Sequence, residues 1–163
     1  KYHRGIKAAI SALAPGRAEY TPPTCFYFWG PAGTGKSKAA WAYGGDDWSA
    51  KYAVPLSAGT TVWFDGYDPR QHRVMILDDY YNTFKFHFLL KLLDGYPLKL
   101  PVKGGFVDCS VDVVIVTSNI GLHDQYPNIP DSQSLWRRFR RVVRCFDHRW
   151  VLCTASNPLG LEQ

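Results

Sequence analysis

Long apolar runs are what this 163-residue sequence lacks first. The longest, CFYFW at 25–29 and VVIVT at 113–117, fall far short of the roughly 18 residues a membrane helix needs, so no membrane-spanning helix is expected. Cysteine is sparse as well. Cys25, Cys109, Cys145 and Cys153 include no C-x-x-C pair, which excludes a zinc pattern and a dense disulfide framework and leaves buried, reduced thiols. Of the histidines, His3, His72, His87, His123 and His148, no two stand four apart, and none is expected to hold a metal. Repeats and low-complexity tracts are missing too. The first residue is Lys1 and no charged-then-apolar leader follows it, so the chain is expected to be a fragment of a longer intracellular protein.

What is present suits one compact domain. With 46% hydrophobic, 15% aromatic and 20% charged residues, the chain can bury a sizeable core, which argues against disorder. Its net charge of +5 is concentrated in two places. Residues 1–20 carry four Lys/Arg against Glu19, and residues 131–150 carry six Arg against Asp131 and Asp147, while 21–130 is slightly acidic. Two basic segments around a near-neutral body suit a polyanion, although a solvated basic face has the same composition.

Hydrophobic spacing divides the chain. KYHRGIKAAISALA at 1–14 is expected to form a short amphipathic helix stopped by Pro15-Gly16. CFYFW is a strand, followed by the glycine loop GPAGTGKS and a helix over KAAWAY. TVWF at 61–64 reads as a strand before the turn DGYDP, and VMIL at 74–77 as a strand buried on both faces. A helix over 84–94 precedes LKLPV and FVDC, which flank Lys103-Gly104-Gly105 as a β-hairpin. VDVVIVT at 111–117 is another buried strand, followed by a helix over 132–139 and a strand near VVRCF. Strands alternating with helices predict an α/β fold with a parallel central sheet.

Gly30-Pro31-Ala32-Gly33-Thr34-Gly35-Lys36-Ser37 matches G-x-x-x-x-G-K-[ST] between a strand and a helix. The glycines let backbone N–H groups wrap phosphate oxygens, Lys36 is placed to reach the β- and γ-phosphates, and Ser37 offers a hydroxyl to Mg²⁺. Asp78 and Asp79 end a buried strand at the sheet edge where such folds bind ligands. Asp78 is expected in the Mg²⁺ shell, and Asp79 to orient or deprotonate the attacking water. Asn119 ends the next buried strand, where an amide can donate to phosphate and accept from water. A GTPase switch is disfavoured, because Asn119 is followed by Ile-Gly-Leu and no N-K-x-D motif occurs.

These elements, in this order, resemble a superfamily-3 helicase, the hexameric ATPase class of small DNA and RNA viruses. The segment WFDGYDPRQHRVMILDDYY at 63–81 is similar to the W-W-D-G-Y-D that runs into D-D-F-Y in circovirus-type replication initiator proteins, and VKGG followed by VVIVTSN is similar as well. The likeness covers about residues 25–146; Phe64 stands where a second tryptophan is usual, and Tyr80-Tyr81-Asn82 where Phe-Tyr-Gly is.

The resemblance implies a P-loop, AAA+-like fold spanning 21–163, with residues 1–20 as linker and oligomerisation helix. It implies ATP and Mg²⁺ as cofactors, a hexameric ring, and 3′ to 5′ translocation on single-stranded DNA. It further implies rolling-circle replication in a host nucleus and an HUH endonuclease domain ahead of this region. The Lys103-Gly104 hairpin resembles the pore loop that grips the strand, with Lys99 assisting. An arginine finger is implied in SLWRRFRR, with Arg138 favoured over Arg137. Trp63, Gly66 and Tyr67 fall within the likeness but read as packing residues. Two other readings share the phosphate loop: a small-molecule or nucleotide kinase, and a nucleotide-gated DNA-binding oligomerisation module with negligible hydrolysis.

Overall fold

A computed structural model describes residues 16–57 and 61–161. The helix expected over 1–14 lies outside them. The strands are β1 (Thr24–Trp29), β2 (Lys51–Ala53), β3 (Val74–Leu77), β4 (Lys99–Val102), β5 (Gly105–Asp108), β6 (Val113–Ser118), β7 (Arg141–Phe146) and β8 (Arg149–Cys153). The α-helices are α1 (Lys36–Ala42), α2 (Phe86–Leu92) and α3 (Gln133–Arg138).

Six strands form one sheet in the order β2-β3-β6-β1-β7-β8. The first five are parallel, and β8 closes an edge antiparallel to β7. Side-chain alternation sorts the central strands onto two faces. Tyr27, Trp29, Met75, Leu77, Val114 and Val116 join the larger cluster, which α2 and α3 cover through Leu89, Leu92, Leu135 and Trp136. Phe26, Phe28, Val74, Ile76, Val113 and Ile115 face the other way, where α1 covers them with Ala40 and Trp41. Because both faces are covered, VMIL is apolar without alternation and all four of its residues are buried. The fold is the expected α/β P-loop type, with helices on both faces of a mostly parallel sheet.

TVWF differs from the expectation. Among the described residues, 61–64 form no strand. Phe64 is buried in the core and its amide donates to the Pro101 carbonyl of the β4–β5 hairpin, after which Asp65-Gly66 turns the chain with Gly66 at φ 84°. The edge position beside β3 is taken by β2, and β8 is a further strand unexpected from the sequence. Both are short or half-exposed edge strands, in which core-directed alternation is weak. All four cysteines are free and buried.

Candidate functional site

Strand register assembles the site. Trp29 pairs with Ser118, and Leu77 pairs with Val116, so β6 lies between β1 and β3 with all three strands ending together. Continuing each strand by a residue sets Gly30 next to Asn119 and Asp78 next to Thr117. The glycine loop, the two acids and the amide therefore meet along one carboxyl edge, although nearly ninety residues separate Gly30 from Asn119.

The root of the loop is stitched to both neighbours. The Gly30 amide donates to the Ser118 carbonyl over 3.1 Å. On the other side, a Cβ at Gly30 would lie 2.0 Å from the Cys145 carbonyl oxygen, and φ is 148°, so only glycine fits. Gly33 and Gly35 also adopt positive φ and face open space. Pro31 and Ala32, between Gly30 and Gly33, are exposed. The Lys36 side chain is buried, and its ammonium donates to the carbonyls of Gly30 (2.8 Å) and Pro31 (2.7 Å), with Thr34 Oγ1 at 3.5 Å. A cation converging on the centre of a glycine loop can exchange these carbonyls for phosphate oxygens.

Ser37 Oγ donates to Asp78 Oδ1 over 2.7 Å, linking the start of α1 to the end of β3. Thr117 Oγ1 donates to the same oxygen at 2.5 Å and accepts the Asp79 amide at 3.0 Å. Asp79 is exposed with φ 52°, a left-handed conformation that aspartate tolerates better than most residues. The Ser37 hydroxyl and Asp78 carboxylate make a hard-oxygen pair of the kind Mg²⁺ accepts when nucleotide phosphates and waters complete its shell. Asn119 is exposed beside them.

A buried amide that sequence reasoning missed ties the acid turn to the Asn119 turn. Gln125 Nε2 donates to Tyr27 Oη (2.7 Å), Ser118 Oγ (3.0 Å) and the Tyr80 carbonyl (3.1 Å), while its Oε1 accepts the Asn82 amide at 2.7 Å. Thr117 was missed as well. It ends an apolar strand beside Ser118-Asn119, and that polar ending was its available signal; Gln125 lies in a loop with no such mark.

The expected DNA and finger residues lie elsewhere. Lys103 and Gly104 form the exposed two-residue tip of the β4–β5 hairpin, with Gly104 at φ 94°. The Lys103 amide donates to Asp65 Oδ1 over 2.8 Å, which steadies the tip and leaves the ammonium exposed. Lys99, largely exposed, is paired across the strands with Asp108 at 2.8 Å. Leu135 in α3 and Phe139 just after it are buried as their spacing predicts. Arg138, however, turns back into the fold. Its guanidinium donates to Asp94 Oδ2 (3.1 Å) and to the carbonyls of Leu90 (3.2 Å) and Ser134 (2.6 Å). Arg137 is exposed. Tyr67 is buried against Tyr52 and His72 and accepts the Ser110 amide, whereas Trp63 is partly exposed.

A family model described as RNA helicase matches residues 26–120, the stretch that holds the glycine loop, both acids, the hairpin and Asn119. The chain belongs to the RNA helicase family. The replication-associated protein of canary circovirus is 34% identical over 142 residues, covering 87% of this chain and 44% of that protein. That of human associated cyclovirus 1 is 36% identical over 123 residues, covering 74% and 42%. That of beak and feather disease virus is 39% identical over 114 residues, covering 70% and 36%. The chain thus spans less than half the length of these curated relatives, and the expected likeness to circovirus-type replication proteins is borne out. Within this helicase domain, the described residues include no group of three or more His, Cys, Asp or Glu able to hold a metal by themselves. A cation at Ser37 and Asp78 would need further ligands from outside the chain. No helix among the described residues is long and apolar enough to cross a membrane.

Proposed function

We propose that this chain is the ATP-driven motor of a viral replication protein, hydrolysing ATP with Mg²⁺ to move 3′ to 5′ along single-stranded DNA during rolling-circle replication. The observation that carries it is the in-register meeting of the Gly30–Ser37 loop, Asp78 and Asn119 on one sheet edge, with Ser37 and Thr117 both donating to Asp78. The family's name refers to RNA. Single-stranded DNA is favoured because the relatives are replication-associated proteins of circoviruses and a cyclovirus.

In this reading Lys36 leaves its loop carbonyls for the β- and γ-phosphates and neutralises charge as the γ-phosphoryl departs. Ser37 and Asp78 would hold Mg²⁺, which would supply neutralisation of the phosphate charge. Asp79 orients the attacking water and takes its proton, and Asn119 donates to the γ-phosphate while accepting from that water. Thr117 fixes Asp78 and the Asp79 backbone for these tasks.

Arg137 is the finger. Arg138 is occupied by Asp94, and Arg137 precedes β7, toward the amino end of the sheet and away from its own loop. It therefore acts on the nucleotide of a neighbouring copy in a ring, which we take to be hexameric. Lys103 at the hairpin tip contacts the phosphate backbone in the pore, with Lys99 holding the hairpin through Asp108. Residues 1–20 act as linker and oligomerisation segment, an HUH endonuclease domain precedes them in the full protein, and the setting is the host nucleus.

The test is the steady-state ATP hydrolysis rate with Mg²⁺, with and without single-stranded DNA, over a range of protein concentrations. A rate that climbs more than linearly with protein and rises with DNA is expected. Linear, DNA-indifferent hydrolysis would instead indicate a self-contained enzyme such as a kinase, and phosphoryl transfer to a nucleoside would identify it.

A further inference from the structure

The β7–β8 hairpin stands against the outer side of the glycine loop. Between them lies a cavity of about 320 Å³, walled on one side by Pro31, Gly33 and Thr34 and on the other by Phe146, Asp147, His148, Arg149 and Trp150. That volume is at the lower end of small-molecule sites, the size of a nucleoside rather than a whole nucleotide. Whatever occupies it touches the loop that takes the phosphates. Trp150 is 45% exposed at this wall, its ring held edge-on by Phe28 at 5.5 Å, so a large indole is fixed in place without being buried. The two-residue turn Asp147-His148 has φ 46° and 59°, the left-handed pair that Asn-Gly adopts most readily. Aspartate and histidine are among the non-glycine residues that tolerate this conformation best, and here they bring an acceptor and a donor to the cavity rim.

We propose that this cavity takes the base and ribose of the nucleotide, with the purine ring stacked on Trp150 and the ribose hydroxyls toward Asp147 and His148. This rests on the phosphate-loop reading above and adds to it the residues that distinguish a nucleoside triphosphate from bare polyphosphate. The loop is common to both parts of the site. Gly30 is packed on the Cys145 carbonyl, and Cys145 pairs with Trp150, so the phosphate cradle and the indole are joined through one β-ladder step.

The experiment compares the affinity of ATP with that of inorganic tripolyphosphate, both with Mg²⁺, for the wild type, Trp150→Ala, Trp150→Leu and Trp150→Phe. Stacking predicts that Trp150→Ala weakens ATP by roughly tenfold and leaves tripolyphosphate within about twofold, while Trp150→Phe retains most of the ATP affinity. Trp150→Leu keeps apolar cover over Phe28 without a π face. It should match Trp150→Ala, and it keeps the comparison readable if the alanine variant fails to fold. Equal losses for the two ligands, or an unchanged ATP affinity, would overturn the proposal. Failure of the phosphate-loop reading looks different: Lys36→Ala would then bind both ligands as the wild type does.

Discussion

The carboxyl edge of the sheet and the β4–β5 hairpin belong to one domain but are secured in opposite ways. At the edge, bonds run between elements: Gly30 to β6, Ser37 to Asp78, Asp78 and Asp79 to Thr117, and the turn after β3 and the end of β6 to Gln125. The hairpin is anchored at its base by buried Leu100 and Val107, and further out by the Phe64 and Lys103 amides, which reach the Pro101 carbonyl and the Asp65 carboxylate. Phosphoryl transfer needs groups fixed to within fractions of an ångström, whereas a strand-gripping tip needs reach and an exposed charge.

Breaking the edge should therefore cost catalysis, and breaking the hairpin should cost DNA binding alone. The largest effect is expected from Lys36→Ala, which should lower ATP hydrolysis by about 10²-fold or more while leaving single-stranded DNA affinity in the absence of nucleotide near wild type. Steady-state rates and fluorescence anisotropy read the two halves. Thr117→Val comes next. It strips a buried donor from Asp78 and an acceptor from the Asp79 amide, so stability should fall by about 1–3 kcal/mol in chemical denaturation and kcat should fall with it. Thr117→Ser should restore both.

Lys103→Ala should leave basal hydrolysis intact and reduce the salt dependence of DNA binding by about one unit of slope, as expected for one lost phosphate contact. The smallest effect belongs to Arg138 and Asp94. Burial pushes the Asp94 carboxyl up, but the Gly95 amide, the Tyr20 hydroxyl and Arg138 together outweigh it and leave it below its ordinary value. A depressed carboxyl contributes stability that is present above its unfolded pKa near 3.8 and is lost as pH falls through the lower folded value. Asp94→Asn should cost up to about 1 kcal/mol near neutral pH and nothing in strong acid. Arg137→Ala, by contrast, should spare stability and remove the more-than-linear dependence of hydrolysis on protein concentration.

Much of the edge was legible because its signals are local. CFYFWGPAGTGKS, VMILDD and VVIVTSN each carry a strand and its candidate site ending within a few residues, and strand order then brings the endings together. Arg137 and Arg138 show where such reading stops. Helical spacing correctly set Leu135 and Phe139 inward, but both arginines follow as polar neighbours, and only a tertiary partner 44 residues away distinguishes them. Lys99 is a similar case, since cross-strand register pairs it with Asp108. TVWF has the composition of a strand, yet Phe64 is drawn into the core beside a tight turn, and Pro101 supplies its backbone bond instead of a sheet neighbour.

The four cysteines have a practical consequence for labelling chemistry. Burial pushes the Cys25 thiol up to about 12 and the Cys145 thiol up to about 11, and it raises Cys109 and Cys153 as well. Nucleophilic attack on a maleimide needs thiolate, and at neutral pH the native protein holds almost none of it within reach of solvent. A single cysteine placed at the exposed hairpin tip, as in Lys103→Cys, would be the one fast-reacting thiol on the molecule. A dye or crosslinker could then follow the hairpin against bound DNA without first removing a native cysteine from the core.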